Sequence, residues 1–186
     1  MRHCKIITLF LLLALALSSC KSSDIGKEEQ IIYSIPVLET TTASYQVIDD
    51  ENIQLSSIGF KIPKDFRVIE KSAAAPLLES QDGSVQFSVE DKTDTITDFD
   101  RYICDTIESL KGMGLSPSET EETDLGSYHA KRFIFDTFDM TSSNVTYYCY
   151  FMTIDNSKIL VNVISKDGKI SSAEESDSFV QSIEFN

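Results

Sequence analysis

Any chemistry in this chain must come from four cysteines, two histidines, several carboxylate clusters and one tyrosine-rich stretch. Cys104 and Cys149 lie far from any CxxC, and a cysteine nucleophile would need His129 beside one of them. His129 has no cysteine, aspartate or second histidine at metal-ligand spacing, so it reads as a surface or strand-end residue, with a zinc or catalytic role as the alternative. The acids gather at Asp49-Asp50-Glu51, at Asp94, Asp98, Asp100 and Asp105, and at Glu119, Glu121, Glu122 and Asp124. None of these clusters follows the calcium-loop order of alternating carboxylates, a central glycine and a terminal glutamate. Gly-x-Ser-x-Gly, phosphate-cradling glycine loops and His-Glu-x-x-His are absent from the sequence. No catalytic residue, cofactor or metal is therefore expected. Tyr148 and Tyr150 share one face of the strand-like run 145–154, opposite Tyr147, Cys149 and Phe151. If that face is open, Tyr148 and Tyr150 form an aromatic binding surface; if helices cover both faces, they are packed core.

The elements that position these residues begin with the first twenty. Arg2 and Lys5 precede an apolar run, Ile6 to Leu17, broken only by Thr8. A membrane-spanning helix needs roughly 20 residues, and a signal-peptide core takes about 7–15. The run fits the second. It ends in Leu17-Ser18-Ser19-Cys20, which resembles the lipobox of bacterial lipoproteins. That resemblance implies a diacylglyceryl group on the Cys20 sulfur and cleavage just before it. The alternatives are an ordinary signal peptide with an incidental cysteine, and an uncleaved anchor. The expected organisation is a signal peptide over 1–19, a lipid-anchored tether over 20–44 and a single domain over 45–186. The expected location is the extracytoplasmic face of a bacterial membrane, plasma or outer, held through the lipid on Cys20.

Cleavage would remove Arg2 and Lys5, taking the net charge from −14 to −16. Such a chain lacks the clustered Lys and Arg that nucleic acid or an anionic membrane surface requires. It suits solubility, or a cationic partner. With Cys20 assigned, Cys104 and Cys149 remain as a possible disulfide, worth about 4 kcal/mol in the chain-entropy picture. Two separate buried thiols are the alternative.

Along the domain, Ile53 to Ile62 reads as a strand ending at Pro63. Asp82-Gly83 joins a hairpin between 77–79 and 84–90. Thr95 to Gly112 is the clearest helix, with Phe99, Ile103, Ile107 and Leu110 on one stripe and Thr97 or Asp98 as cap. Ser116 to Asp124 is an acidic exposed strand or loop. The runs 129–139, 145–154 and 158–164 suit an antiparallel meander. Ser171 to Phe185 closes the chain as a helix burying Ala173, Phe179, Val180 and Ile183. Ile31 to Leu38 is apolar enough to pack as an extra strand, with Pro36 keeping it at an edge. The fold class is α+β, an antiparallel β-sheet covered by helices.

Three segments are similar to the PsbP-like and DcrB-like α/β sandwich domains: Ile58-Gly-Phe-Lys-Ile-Pro-Lys-Asp-Phe66, Glu121 to Phe133 with its Gly126 turn, and Phe179-Val-Gln-Ser-Ile-Glu-Phe185. Phe66 stands where that family commonly has Trp. The resemblance implies a helix-covered sheet and, in some members, attachment to larger membrane complexes; it transfers no catalytic residue. Two functional expectations follow. The first is a non-enzymatic binding or accessory domain with an envelope protein partner. The second is a small-ligand carrier or enzyme with a carboxylate- or tyrosine-lined pocket.

Overall fold

The computed structural model describes residues 45–71, 75–139 and 143–186. Cys20 and the 31–38 segment lie outside them. The described chain is α+β. A three-stranded antiparallel sheet holds β1 (Tyr45–Val47), β2 (Asn52–Leu55) and β3 (Gly59–Lys61). A seven-stranded sheet runs in the order β4 (Phe66–Lys71), β5 (Pro76–Ser80), β6 (Val85–Asp91), β10 (Ser157–Lys166), β9 (Asn144–Ile154), β8 (Tyr128–Phe138), β7 (Glu121–Leu125). Every pairing in it is antiparallel. Two helices, α1 (Phe99–Gly112) and α2 (Ala173–Gln181), complete the domain.

The expected strand over 53–62 is a hairpin, β2 to β3. Its apolar residues change parity, Ile53 and Leu55 before the break and Ile58 and Phe60 after it. A period of two cannot survive a parity change without a turn, because the second half would face solvent. Ser56-Ser57 makes that turn, and the Ser57 amide donates to Asp91 Oδ2 at 2.6 Å. The small sheet is thereby fastened to the end of β6.

The meander forms as expected from β8 through β10, and β7 extends it by one strand. Asp155 and Asn156 both take positive φ, 47° and 74°, in the two-residue turn between β9 and β10. Asp and Asn tolerate that conformation better than most residues. β9 and β10 lie in the middle of the sheet and are apolar on both faces because both faces are covered. On one side Tyr148, Tyr150, Val161, Val163, Phe87 and Leu78 join a core with Ile53, Phe60 and Val180. On the other, Phe151 packs edge-on against Phe99 and Tyr102 of α1, and Phe135 stacks on Tyr147. Each fully buried aromatic of this kind contributes about 1.5–3 kcal/mol.

α1 starts at Phe99, the first residue of the apolar stripe, four residues after the expected start at Thr95. Thr95 and Ile96 donate back to the Lys92 carbonyl, which closes a turn, and Asp98 caps the helix by accepting from the Arg101 amide at 3.1 Å. α2 is capped at Ser172, which accepts from the Glu175 amide at 3.2 Å, while Glu175 Oε2 accepts from the Ser171 amide at 2.8 Å. It stops at Gln181 rather than running to Phe185. The last residues extend instead and pair with β3: the Gly59 amide donates to Asn186 O at 2.9 Å and the Asn186 amide to Gly59 O at 3.0 Å. A Cβ on Gly59 would sit 2.3 Å from Asn186 Oδ1, so a larger residue there would require the Asn186 side chain to turn aside.

Candidate functional site

Tyr148 and Tyr150 do not form an open aromatic surface. They are 3% and 0% exposed, because α2 and the small sheet cover their face. Their hydroxyls are used internally. Tyr148 donates to the Ile170 carbonyl at 3.2 Å, and Tyr150 donates to Asp177 Oδ1 at 2.8 Å. Burial, together with the hydrogen-bonded Asp177 carboxylate, pushes the Tyr150 phenol well above its ordinary pKa.

Asp177 gathers a buried polar cluster. It accepts from Arg132 Nη1 at 2.5 Å and from Thr123 Oγ1 at 2.9 Å, besides Tyr150. Arg132 Nη2 reaches Glu121 Oε2 at 2.6 Å. Burial alone would lower the Arg132 pKa, but the hydrogen bonds to Asp177 and Glu121 outweigh it and hold the guanidinium above its ordinary value. β7, β8, β9 and α2 each supply a member. The cluster ties the edge of the sheet to its covering helix, with Arg132 and Asp177 facing one another and Glu121 at the exposed rim. Arg132 and Asp177 escaped the sequence reading. Their signal was phase: Arg132 falls between Ala130 and Ile134 on the inward parity of β8, and Asp177 falls one residue after fully buried Ser176 in α2.

On the opposite face of the same strands lies a cleft of about 430 Å³. Its apolar surface includes Phe99 and Phe151, and its carboxylates are Asp100, Glu122 and Asp124. β8 contributes His129 and Lys131. The β7–β8 register sets Asp124 directly opposite His129, and the His129 imidazole hydrogen-bonds the Asp124 carboxylate. Both side chains are strongly exposed, so the pair is a solvated one. Lys131 Nζ pairs with Asp100 at 2.5 Å. Its pKa is raised by the Asp100 hydrogen bond, with further contributions from the charges of Asp100, Glu122 and Asp98. Three carboxylates against one ammonium leave the cleft negative. It contains no cysteine or serine beside the histidine, and among the described residues no group of three or more His, Cys, Asp or Glu is arranged to hold a metal ion.

Three further acids serve local structure. Asp98 is a helix cap, Asp105 pairs with Arg101 along α1 at 3.8 Å, and Asp49 accepts from the Glu51 amide at 2.8 Å in the β1–β2 turn. Cys104 and Cys149 are free thiols, so the disulfide that the sequence allowed is not formed. Cys104 is exposed on the outer side of α1, whereas Cys149 is buried on the sheet. The helix that covers Cys149 points Cys104 away from it. Burial pushes the Cys149 thiol far above its ordinary pKa, which suppresses nucleophilic reactivity.

No protein-family model matches the chain. A search of curated proteins finds no match. Among solved structures, a Bacteroides thetaiotaomicron VPI-5482 protein aligns with TM-score 0.49 and 14% identity over 69% of this chain and 45% of that one. A Pseudomonas aeruginosa protein of unknown function, PA94, aligns with TM-score 0.42 and 9% identity over 69% of this chain and 92% of that one. The chain thus spans less than half the length of the first. At these scores neither likeness bears on what this chain does. Among the described residues no helix is long and apolar enough to cross a membrane.

Proposed function

We propose that this protein is a lipid-anchored, extracytoplasmic binding or accessory domain of a bacterial envelope, without enzymatic chemistry of its own. The observation that carries the anchor is the register of Arg2 and Lys5, the apolar run to Leu17, and Ser18-Ser19-Cys20. The binding role is supported by the domain's polar chemistry. Arg132 and Asp177, with side chains 7% and 21% exposed, bond to one another, and Asp177 also accepts from Tyr150 and Thr123. They are committed to holding β8 and α2 together. A finer assignment to the PsbP-like and DcrB-like sandwiches is supported by the three similar segments, 58–66, 121–133 and 179–185. The test is expression in a bacterial host with an alkyne-palmitate label. The wild type incorporates label and sediments with membranes, and Cys20→Ala does neither. Equal labelling or equal sedimentation of the two chains overturns the anchor. Affinity recovery of the lipidated protein should return one reproducible envelope protein.

A second reading, a small-ligand carrier, is favoured by the cleft at Phe99, Phe151 and its carboxylates. It predicts that a small cationic amphiphile raises the melting temperature of the wild type but not of Glu122→Gln/Asp124→Asn.

A further inference from the structure

The seven-stranded sheet ends in two different edges. β4 carries a register shift between Val68 and Glu70, and such a bulge interrupts the even row of donors and acceptors that another strand would need. β7 pairs with β8 without a shift from Glu121 to Leu125. The two strands join through the two-residue turn Gly126-Ser127, with Gly126 at φ 67°. In such a hairpin the pair flanking the turn, Leu125 and Tyr128, is the hydrogen-bonded one, and the pattern alternates along the strand. Thr123 and Glu121 therefore bond inward to β8. The main-chain N–H and C=O groups of Glu122 and Asp124 face outward, away from the sheet. Beyond β7 the register slips by one residue, where the Ser118 amide donates to the Ile134 carbonyl at 2.7 Å.

This edge borders the negative cleft. Glu122 and Asp124 supply both the outward main-chain groups and two of the cleft's three carboxylates. A strand added beside β7 would lie about 4.8 Å away, with alternate side chains on the cleft side. The edge is acidic along its length, at Glu119, Glu121, Glu122 and Asp124. Two copies of this chain meeting edge to edge would set carboxylate against carboxylate, so charge selects against a second copy.

We infer that β7 is a docking edge for an extended, lysine- or arginine-containing segment of a partner protein, which adds as an eighth strand and places alternate cationic side chains over the Phe99–Phe151 cleft. This inference rests on the binding-domain reading and names the chemistry of its partner. Main-chain bonds to Glu122 and Asp124 supply the affinity, and the carboxylates beside an apolar floor supply the selection, the division of labour usual in strand addition. A lysine fits both parts, with its stem over the aromatic rings and its ammonium at the acids.

The test uses the full chain in detergent and synthetic seven-residue peptides, Thr-Lys-Val-Lys-Val-Lys-Thr with blocked ends. Two further versions are N-methylated at odd or at even amides, and another carries Glu in place of Lys. Calorimetry should show that the parent peptide binds. One methylation parity should weaken binding by at least about tenfold while the other is tolerated, because a strand offers only one row of amides to an edge. The Glu version should bind at least about tenfold more weakly. Glu122→Lys/Asp124→Lys, checked for an unchanged circular dichroism spectrum, should lose the Lys peptide. Equal binding of both methylated versions means charge attraction without strand addition and overturns the inference. So does equal binding of the Glu peptide, or no binding of the parent. Glu122 and Asp124 amides already protected from exchange in the free chain also overturn it, since a segment of the chain itself or a second copy would then hold the edge. The peptide readout does not depend on membrane attachment, so its failure is separate from failure of the Cys20 anchor.

Discussion

Arg132 Nη1 and Asp177 Oδ1 stand 2.5 Å apart between the seven-stranded sheet and α2, with side-chain exposures of 7% and 21%. A charge pair so placed stabilises weakly as a whole, but each member depends strongly on the other. Desolvation is already spent on both charges, and removing one leaves the other uncompensated.

Asp177→Leu should therefore destabilise the domain by about 3–5 kcal/mol in urea unfolding. Arg132 would keep only Glu121, whose side chain is 64% exposed. The double variant Arg132→Met/Asp177→Leu should be clearly more stable than the sum of its single changes predicts. Simple additivity would show that the two residues act independently.

The two tyrosines of β9 should separate by their acceptors. Tyr150 donates to a carboxylate and Tyr148 to a backbone carbonyl. Tyr150→Phe should cost about 1.5–3 kcal/mol and Tyr148→Phe about 0.5–1.5 kcal/mol. The reverse order in thermal or urea unfolding would contradict the cluster described above.

Thiol accessibility should divide Cys104 from Cys149. Native protein treated with an alkylating reagent should label at Cys104 within minutes, and at Cys149 only after unfolding, because that thiol is buried and its thiolate disfavoured. Peptide mapping by mass spectrometry reads this directly. A Cys104–Cys149 cross-linked peptide in unreduced protein would refute the separation.

Acid should loosen the attachment of the small sheet. Burial alone would raise the Asp91 pKa, but donors from Ser57 and Thr93 outweigh it, and the net effect holds the carboxyl below its ordinary range. A carboxylate depressed in the folded state adds stability that is fully present above the unfolded value near ~3.9. That stability is lost as pH falls through the folded value. Asp91→Asn should be less stable than wild type at neutral pH, and the difference should shrink steadily below about pH 4. A difference that grows on acidification would reverse the assignment.

Gly126 offers a test of the docking hairpin. Its φ is 67°, and a Cβ there would lie 2.6 Å from Gln181 Nε2 at the end of α2. Gly126→Ala should lose roughly 1–2 kcal/mol from the left-handed backbone alone. Gln181 is flexible and exposed, so Gln181→Ala should recover little of that loss. Full recovery would place the cost in the contact instead.

Much of the fold was legible because long periodic runs leave few alternatives. The 129–139 and 145–154 segments are too rich in aromatic and β-branched residues to be anything but strands, and their turn residues fixed the meander. The β2–β3 hairpin was misread as one strand because Ser56-Ser57 is a weak turn signal beside strong flanking apolar residues. Its real mark was the parity change between Leu55 and Ile58. The ends of both helices were overextended for a related reason. An apolar stripe reports which residues will be buried, and Thr95–Thr97 and Ser182–Phe185 are packed by turns and by pairing with β3 rather than by helical geometry.

The sequence by itself determined most of the strands and the existence of both helices, since each is written in neighbouring residues: apolar length, period and turn residues. It also identified the acidic character of the 119–124 stretch. Only the tertiary structure decided what those acids and tyrosines do. Whether Tyr150 faces solvent depends on where α2 lands, and whether Glu121 pairs with Arg132 depends on β7 lying next to β8. Among the described residues β7 is last in the sheet order, and that turns the main-chain groups of Glu122 and Asp124 away from any strand. That is a property of the assembled strands, and no local run of residues encodes it.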